Sequence, residues 1–335
     1  ARPPAWVRQH RRTGVTAVRI LVSVLLLLVA GLVQAQPYPS RPITMVLGFP
    51  PGGSLDPIAR QVAQGMQKEL GQNVVVENRP GASGTLAAAG VARAQPDGYT
   101  LLFGVAGNLV VAPASMKQVP YDPSTAFVPV SLIARGPYVL MAHAGLPVQD
   151  VAGLARAAKA NPGQLNYGSA GIGSVQHFAG ELLNQATGAT LTHIPYKGGG
   201  QAWPALMSGE IHALFDTMPG PSMFIGTGKV RPLAVTGSKR LASMPDVRTF
   251  AEQGYPAMDV SFMYGVLAPA GTPRDIVAKL NAAVHRALAE PELLAAMRRQ
   301  EVEPSPGTPE AFGQLITGEL RRWREIVVQT NFKPE

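Results

Sequence analysis

Cysteine is absent from all 335 residues, which excludes disulfides, thiolate metal sites and a cysteine nucleophile at once. Histidine is scarce, and none of His143, His177, His193, His212 or His285 stands in an H-E-x-x-H or comparable metal-ligand spacing. Nucleotide signatures are missing as well: no G-x-G-x-x-G follows a strand-like run, and residues 226–230 (GTGKV) do not complete a P-loop. No G-x-S-x-G elbow occurs. No catalytic residue, metal or cofactor is therefore assigned.

Acidic residues are missing from one place in particular, the first 35 positions. These carry Arg2, Arg8, Arg11, Arg12 and Arg19, then an apolar run over 20–33 broken only by Ser23 and Gly31. That run falls short of the roughly 20 residues that span a bilayer. With Val33-Gln34-Ala35 behind it, the segment reads as a signal peptide, residues 1–35, cleaved after about Ala35. Export to the periplasm is the expectation. Loss of the five arginines takes the formal net charge from +8 to about +3. The basic balance is thus largely an export signal and gives no ground for nucleic-acid binding. About 300 residues remain, enough for two domains.

What the mature part contains is an alternation of strand and helix signals. Apolar runs at 43–47, 74–77 and 100–103 read as strands, and apolar residues at helical spacing cover 55–70 and 85–94. The order β-α-β-α-β implies a parallel sheet. A stretch rich in Pro and Gly, read as irregular, follows. The pattern then restarts with strands at 138–142, 165–168, 191–194 and 213–215, and helices at 151–160, 175–187 and 201–208. Two such α/β halves predict two lobes facing a cleft. A helix over 272–289, with Thr272 as N-cap, and a last helix from Thr308 to about Thr330 close the chain.

Three Gly-rich loops join a strand to a helix start. The first, residues 49–60 (FPPGGSLDPIAR), leads from the strand at 43–47 into a helix; the others are NRPGASG at 78–84 and SAGIGS at 169–174. Each leaves backbone N–H groups free to hold an anion, and all three sit at carboxyl ends of strands, where ligands of open α/β sheets collect. Such loops are also simply how these folds turn, so their shared placement carries the functional reading. Tyr196 can line a cleft and still donate a hydrogen bond, whereas Lys197 reads equally well as a solvated turn residue. Asp56, in the first turn of its helix, suits stabilisation of that N-terminus more than contact with an anion. Asp216, at a strand end, suits an amino or hydroxyl group.

These stretches, with YPSRPITMV, PDGYTLL, HIPYKGGG, GKVRPLAVTGSKR, APAGTP and ELRRW, run in order from Tyr38 to almost the last residue. Together they resemble the Bug-type periplasmic solute-binding receptors of the tripartite tricarboxylate transporter system. The resemblance implies an α/β, type II periplasmic-binding-protein fold: two Rossmann-like lobes around a central cleft. Lobe 1 would comprise residues 36–134 plus 265–335, and lobe 2 residues 135–264, with crossovers near 131–137 and 262–269. It implies ligand contacts at Phe49, Gly52, Gly53, Ser54, Asp56 and Ser83 in the first lobe, and at Ser169, Gly171, Gly173, Ser174, Tyr196 and Asp216 in the second. It further implies a small carboxylate ligand, transporter membrane subunits or a membrane sensor as partner, and a monomer.

Two departures stand out. The family's usual Trp before the second crossover is replaced by Phe262-Met263-Tyr264, and a usual Pro by Arg248; the first would reshape the cleft floor. The rival reading is a secreted hydrolase in which Ser169 or Ser174 works with His177. It lacks an acid obviously placed to orient the imidazole.

Overall fold

The computed structural model describes residues 37–52, 55–218, 220–299 and 302–330. Residues 1–40 and 41–335 are separate units. The leader expected over 1–35 lies outside the described residues, and the fold is that of the second unit.

The first sheet grows from the β-α-β-α-β segment. β1 (Ile43–Leu47) is followed by α1 (Leu55–Leu70), β2 (Val74–Asn78), α2 (Thr85–Ala92) and β3 (Thr100–Val105). β1 pairs in parallel with both β2 and β3, so it is central, and Ile43, Met45, Val46 and Leu47 are fully buried. α1 buries Ile58, Ala59, Val62 and Met66 at the spacing of one helix face. A short π turn (Gly107–Val111) then leads through α3 (Ala112–Ser115) towards β4 (Phe127–Pro137).

β4 corrects the expectation of irregular chain in the Pro- and Gly-rich stretch. It is the last strand of its sheet, in the order β2-β1-β3-β10-β4 with β10 at Ser261–Pro269; its other edge carries only an isolated bridge from Ala134 to Pro304. Its pairing shifts register between Tyr264 and Gly265 and again between Val266 and Leu267. Edge position and bulges are where a strand tolerates proline, and Pro129 and Pro137 are what disguised it.

The second sheet follows the same plan. β5 (Val139–His143), α4 (Val151–Ala160), β6 (Asn166–Ser169), α5 (Val175–Thr187), β7 (Thr192–Pro195), α6 (Gly199–Ser208), β8 (Ala213–Asp216), α7 (Gly220–Ile225) and β9 (Val230–Val235) succeed one another. The sheet order is β7-β6-β8-β5-β9. β6, β7 and β8 are parallel, and β5 runs antiparallel to both β8 and β9. β10 (Ser261–Pro269) fills the equivalent antiparallel place in the first sheet. Each sheet therefore takes one strand immediately after the chain has crossed from the other, which makes two lobes joined by two crossings.

Thr236 holds the crossings together. Its buried hydroxyl accepts from the Tyr138 N–H, 2.8 Å away, on the outward crossing and donates to the Val260 carbonyl on the return. The chain ends in α8 (Arg274–Ala289), α9 (Pro291–Arg299) and α10 (Pro309–Gln329). The last helix begins where expected, and Thr308 caps α10, accepting from the Ala311 N–H. Thr272 does not cap α8: the N-cap is Pro273, and the Thr272 hydroxyl donates to the Pro269 carbonyl at 2.8 Å. Trp323 of α10 packs edge-on against Phe178 of α5, with ring centroids 5.8 Å apart, and both are buried. The C-terminal helix thus adds a third link between the lobes.

Candidate functional site

The first loop is fixed by a polar clasp beside it. Asp56 accepts from the Gly52 N–H at 3.2 Å, from Arg60 Nε at 2.9 Å and from Asn78 Nδ2 at 3.0 Å. Asn78 Nδ2 also donates to the Phe49 carbonyl at 3.1 Å. Burial pushes the Asp56 carboxyl up, but the Arg60, Asn78 and Gly52 donors outweigh it and hold the group below its ordinary range. The second loop is seated by close backbone approach: a Cβ on Gly48 would lie 2.6 Å from the Gly84 Cα. Ala82 and Ser83 take left-handed conformations, with φ 46° and 55°, which cost about 1–3 kcal/mol each in non-glycine residues. In this conformation the Ser83 hydroxyl donates across the cleft to the Ile172 carbonyl at 3.0 Å.

The third loop rests on two stacked imidazoles. The rings of His177 and His193 lie 3.8 Å apart and within 10° of parallel, and Tyr167 stacks on His193 with ring centroids 5.1 Å apart. His177 Nδ1 accepts from the Gly173 N–H at 3.2 Å. Ser169 Oγ lies 2.6 Å from His193 Nε2, donates to the Gly171 carbonyl and accepts from its N–H. Burial lowers His177 to about 4, and burial together with the neighbouring His177 lowers His193 to about 3. Both rings are neutral near pH 7, and His177 Nδ1 must be unprotonated to accept from the Gly173 N–H.

This arrangement removes the hydrolase reading. Ser174 Oγ caps α5 by accepting from the His177 backbone N–H, and Ser169 pairs with His193 rather than His177. Ser169 is fully buried, so its hydroxyl meets no substrate.

Two adjoining cavities open between the loops. One, of about 370 Å³, is lined by Phe49, Gly52, Ser83, Ser174 and Asp216 among others. The second, about 750 Å³, takes Gly171, Gly173 and Tyr196, and shares Phe49 and Ser83 with the first. Asp56 and Ser169 line neither, because the clasp and the imidazole pair occupy them; they support the loops from behind. Gly53 and Ser54 lie outside the described residues.

Several lining residues were not among the expected contacts. At the floor, Tyr138 lies between β4 and β5, and Phe262 and Tyr264, noted in the sequence only as a departure at the cleft floor, come from β10; the Tyr264 phenol shares a hydrogen bond with Thr217. Asp216 sits beside them, accepting from Trp203 Nε1 at 2.5 Å and from the Thr217 N–H at 2.8 Å. Burial raises it to about 6 against the pull of those two donors. Ser115 lines the second cavity; its buried hydroxyl has no hydrogen-bond partner among the described residues. A lone serine at the end of a four-residue helix carries no pattern that would announce it.

The family model described as the tripartite tricarboxylate transporter family receptor, TctC, matches residues 58–332. The chain belongs to this family. A UPF0065 protein of Pseudomonas sp. strain P51 is 38% identical over 315 residues, covering 93% of this chain and 94% of its own. BugT of Bordetella pertussis is 37% identical over 306 residues, covering 91% and 94%. Among solved structures, the periplasmic binding protein BugD superposes with a TM-score of 0.83 at 35% identity, covering 89% of this chain and all of its own (100%). MatC from Rhodopseudomonas palustris with bound malate gives 0.82 at 36%, covering 87% and 100%. A second R. palustris protein, with adipate, gives 0.84 at 35%, covering 89% and 100%. The fold is thus the two-lobe, type II-like architecture of these receptors. The TctC chain is a solute-binding receptor and not an enzyme.

Proposed function

We propose that this receptor captures a small carboxylate in the periplasm, for uptake or sensing, by closing its two lobes over it. The observation that carries this is the opposition of the second and third loops across one cleft, joined by Ser83 and Ile172. Helix starts there offer N–H donors to an anion, and relatives described with malate and adipate are of the same family. A ligand bonded to both lobes favours the closed state and shifts the population towards it.

The lobe division in this reading is 36–134 plus 265–335 against 135–264, after a leader is cleaved near Ala35. Phe49, Gly52, Gly53, Ser54, Ser83, Gly171, Gly173, Ser174, Tyr196 and Asp216 are the contact set, with Asp56 and Ser169 behind them. The closed form of a monomer would then meet transporter membrane subunits or a membrane sensor; capture from membranes with and without ligand separates these two.

Native mass spectrometry of freshly purified protein, followed by a thermal-shift screen, tests the ligand class. A carboxylate at 100 times its dissociation constant should add about 2.7 kcal/mol of stability. A screen in which neutral sugars raise the melting temperature and no carboxylate does would overturn the reading.

A further inference from the structure

A buried carboxylate stands in the wall of the cavity that would receive an anion. Asp216, at the end of β8, is only 7% exposed and lines the smaller cavity. Much of the polar lining is neutral: Ser83, Ser174, Gln176, Gln201 and Thr217. Among the described residues the other charged side chain there is Lys197, which is exposed. Solvent screens its charge, so it does not offset that of a buried Asp216.

The groups packed around Asp216 donate hydrogen bonds but bring no positive charge. From α6, Trp203 Nε1 donates to Oδ2 at 2.5 Å, and the Thr217 N–H donates to Oδ1 at 2.8 Å. The aromatic wall of Tyr138, Phe262 and Tyr264 stands in the same cavity; burial raises both phenols, so they stay neutral. α7 crowds Oδ2, since a Cβ on Gly220, its first residue, would lie 2.5 Å from that atom. Oδ1 has more room. A Cβ on Gly199 of α6 would lie 3.4 Å from it, and Gly198, Gly199 and Gly200 line the cavity.

When two carboxylates share one site, the pKa of one is raised strongly. A ligand carboxylate within about 370 Å³ stands close enough to Asp216 for like charges to repel, and a proton on one of them removes the repulsion. Asp216 is the group suited to take it. Burial already raises it to about 6 against its two donors, whereas an aspartic carboxyl in water titrates near about 4. A protonated carboxyl also gains what the ionised one lacks, an O–H donor.

On the premise that the receptor takes a carboxylate, we propose that Asp216 takes up a proton from solvent as the ligand enters, and that the new O–H on Oδ1 donates to a ligand oxygen. The proton returns to solvent when the ligand leaves, and no other bond is made or broken. Asp216 then admits ionised mono- and dicarboxylates alike, and capture tightens as the pH falls.

Isothermal calorimetry at pH 7.0 in phosphate and in Tris tests this, with whichever of succinate, malate, adipate or benzoate binds most tightly. The two buffers differ in heat of ionisation, so the difference between the binding enthalpies counts protons. More than about half a proton per ligand should be taken up, and affinity should fall tenfold or more from pH 6.5 to 8.5. Asp216→Asn, whose amide donates without a charge, should take up none, lose the pH dependence and bind tenfold tighter than the parent protein at pH 8.5. If the Asn variant does not fold, infrared difference spectra of the parent protein carry the test. Ligand should bring out the carbonyl band of a protonated carboxyl at pH 7.0, and carbon-13 labelling of the ligand carboxyls should not shift it. Equal enthalpies in the two buffers, uptake that persists in the Asn variant, or a band that is missing or shifts with the label would overturn the inference and leave the carboxylate reading standing. Binding of none of the four acids would overturn both.

Discussion

Ser83 Oγ donates to the carbonyl of Ile172 at 3.0 Å, a hydrogen bond that joins the helix-start loop of one lobe to that of the other. It exists only while the lobes are together, so it contributes to the closed state and not to the stability of either lobe alone. A solvent-accessible hydrogen bond of this kind is worth about 0.5–1.5 kcal/mol net.

Ser83→Ala should therefore weaken ligand binding about two- to tenfold while leaving the melting temperature of the ligand-free protein within a degree or two. Calorimetry and a thermal melt on the same samples check it. A large fall in the ligand-free melting temperature would instead mean that the strained turn at Ala82 and Ser83 is held by this hydroxyl.

The stacked imidazoles predict acid sensitivity with a definite sign. An unfolded histidine takes its proton near 6.5, whereas His177 and His193 are held at about 4 and about 3. Below pH 6.5 the unfolded chain binds protons that the folded chain refuses, so stability is full above that pH and falls on acidification. The loss is complete once the pH has passed the two folded values. At about 1.4 kcal/mol per unit, His177 alone accounts for at most about 3 kcal/mol. Charged groups nearby are sparse: Glu181 is bonded to the Tyr167 phenol at 2.6 Å. Melting curves at pH 7.5, 5.5 and 4.5 should show the decline, and the double variant His177→Asn, His193→Asn should flatten it. Equal melting temperatures at 7.5 and 4.5 would refute the assignment.

Ser115 offers a test that separates binding from folding. Its buried hydroxyl has no partner among the described residues, and a Cβ on Gly173 of the third loop would lie 3.9 Å from it. An unsatisfied buried hydroxyl is a liability to the ligand-free fold, about 1–3 kcal/mol when nothing bonds it. Ser115→Ala should leave the melting temperature unchanged or raise it. If the hydroxyl serves the ligand, the same change should weaken binding about tenfold. Unaltered affinity would remove Ser115 from the site.

The sequence made the loops legible because their signals are local. A strand, two glycines and a helix start lie within the sixteen residues 43–58, and a serine stands at the N-cap in SAGIGS. The sheet halves followed from periodicity for the same reason. What stayed hidden depends on residues far apart in the chain. β4 and β10 pair across more than a hundred positions, and prolines mask the first of them. The aromatic wall exists only because those crossings bring Tyr138 beside Phe262. The fate of Asp56 was also non-local: its partner Asn78 arrives from the end of β2, and the carboxylate is consumed before any ligand could meet it.

Gly180 shows how such a distant contact decides the sign of a substitution. It lies within α5, where replacing glycine by alanine ordinarily stabilises by about 0.5–1 kcal/mol. Here a Cβ would fall 2.1 Å from the ring of Tyr167, the fully buried residue that stacks on His193 and donates to the His177 carbonyl at 3.0 Å. Relieving the overlap requires moving the ring or the helix, and overpacking of this kind costs about 1–3 kcal/mol. The clash outweighs the helix gain, so Gly180→Ala should lower the urea midpoint. Because the displaced ring supports the imidazoles under the third loop, ligand affinity should fall with it. A paired change that shortens the side chain, Gly180→Ala with Tyr167→Leu, should recover part of the stability without restoring affinity. If Gly180→Ala raises the midpoint, Tyr167 is free to move, and the rigid support assigned to the third loop is wrong.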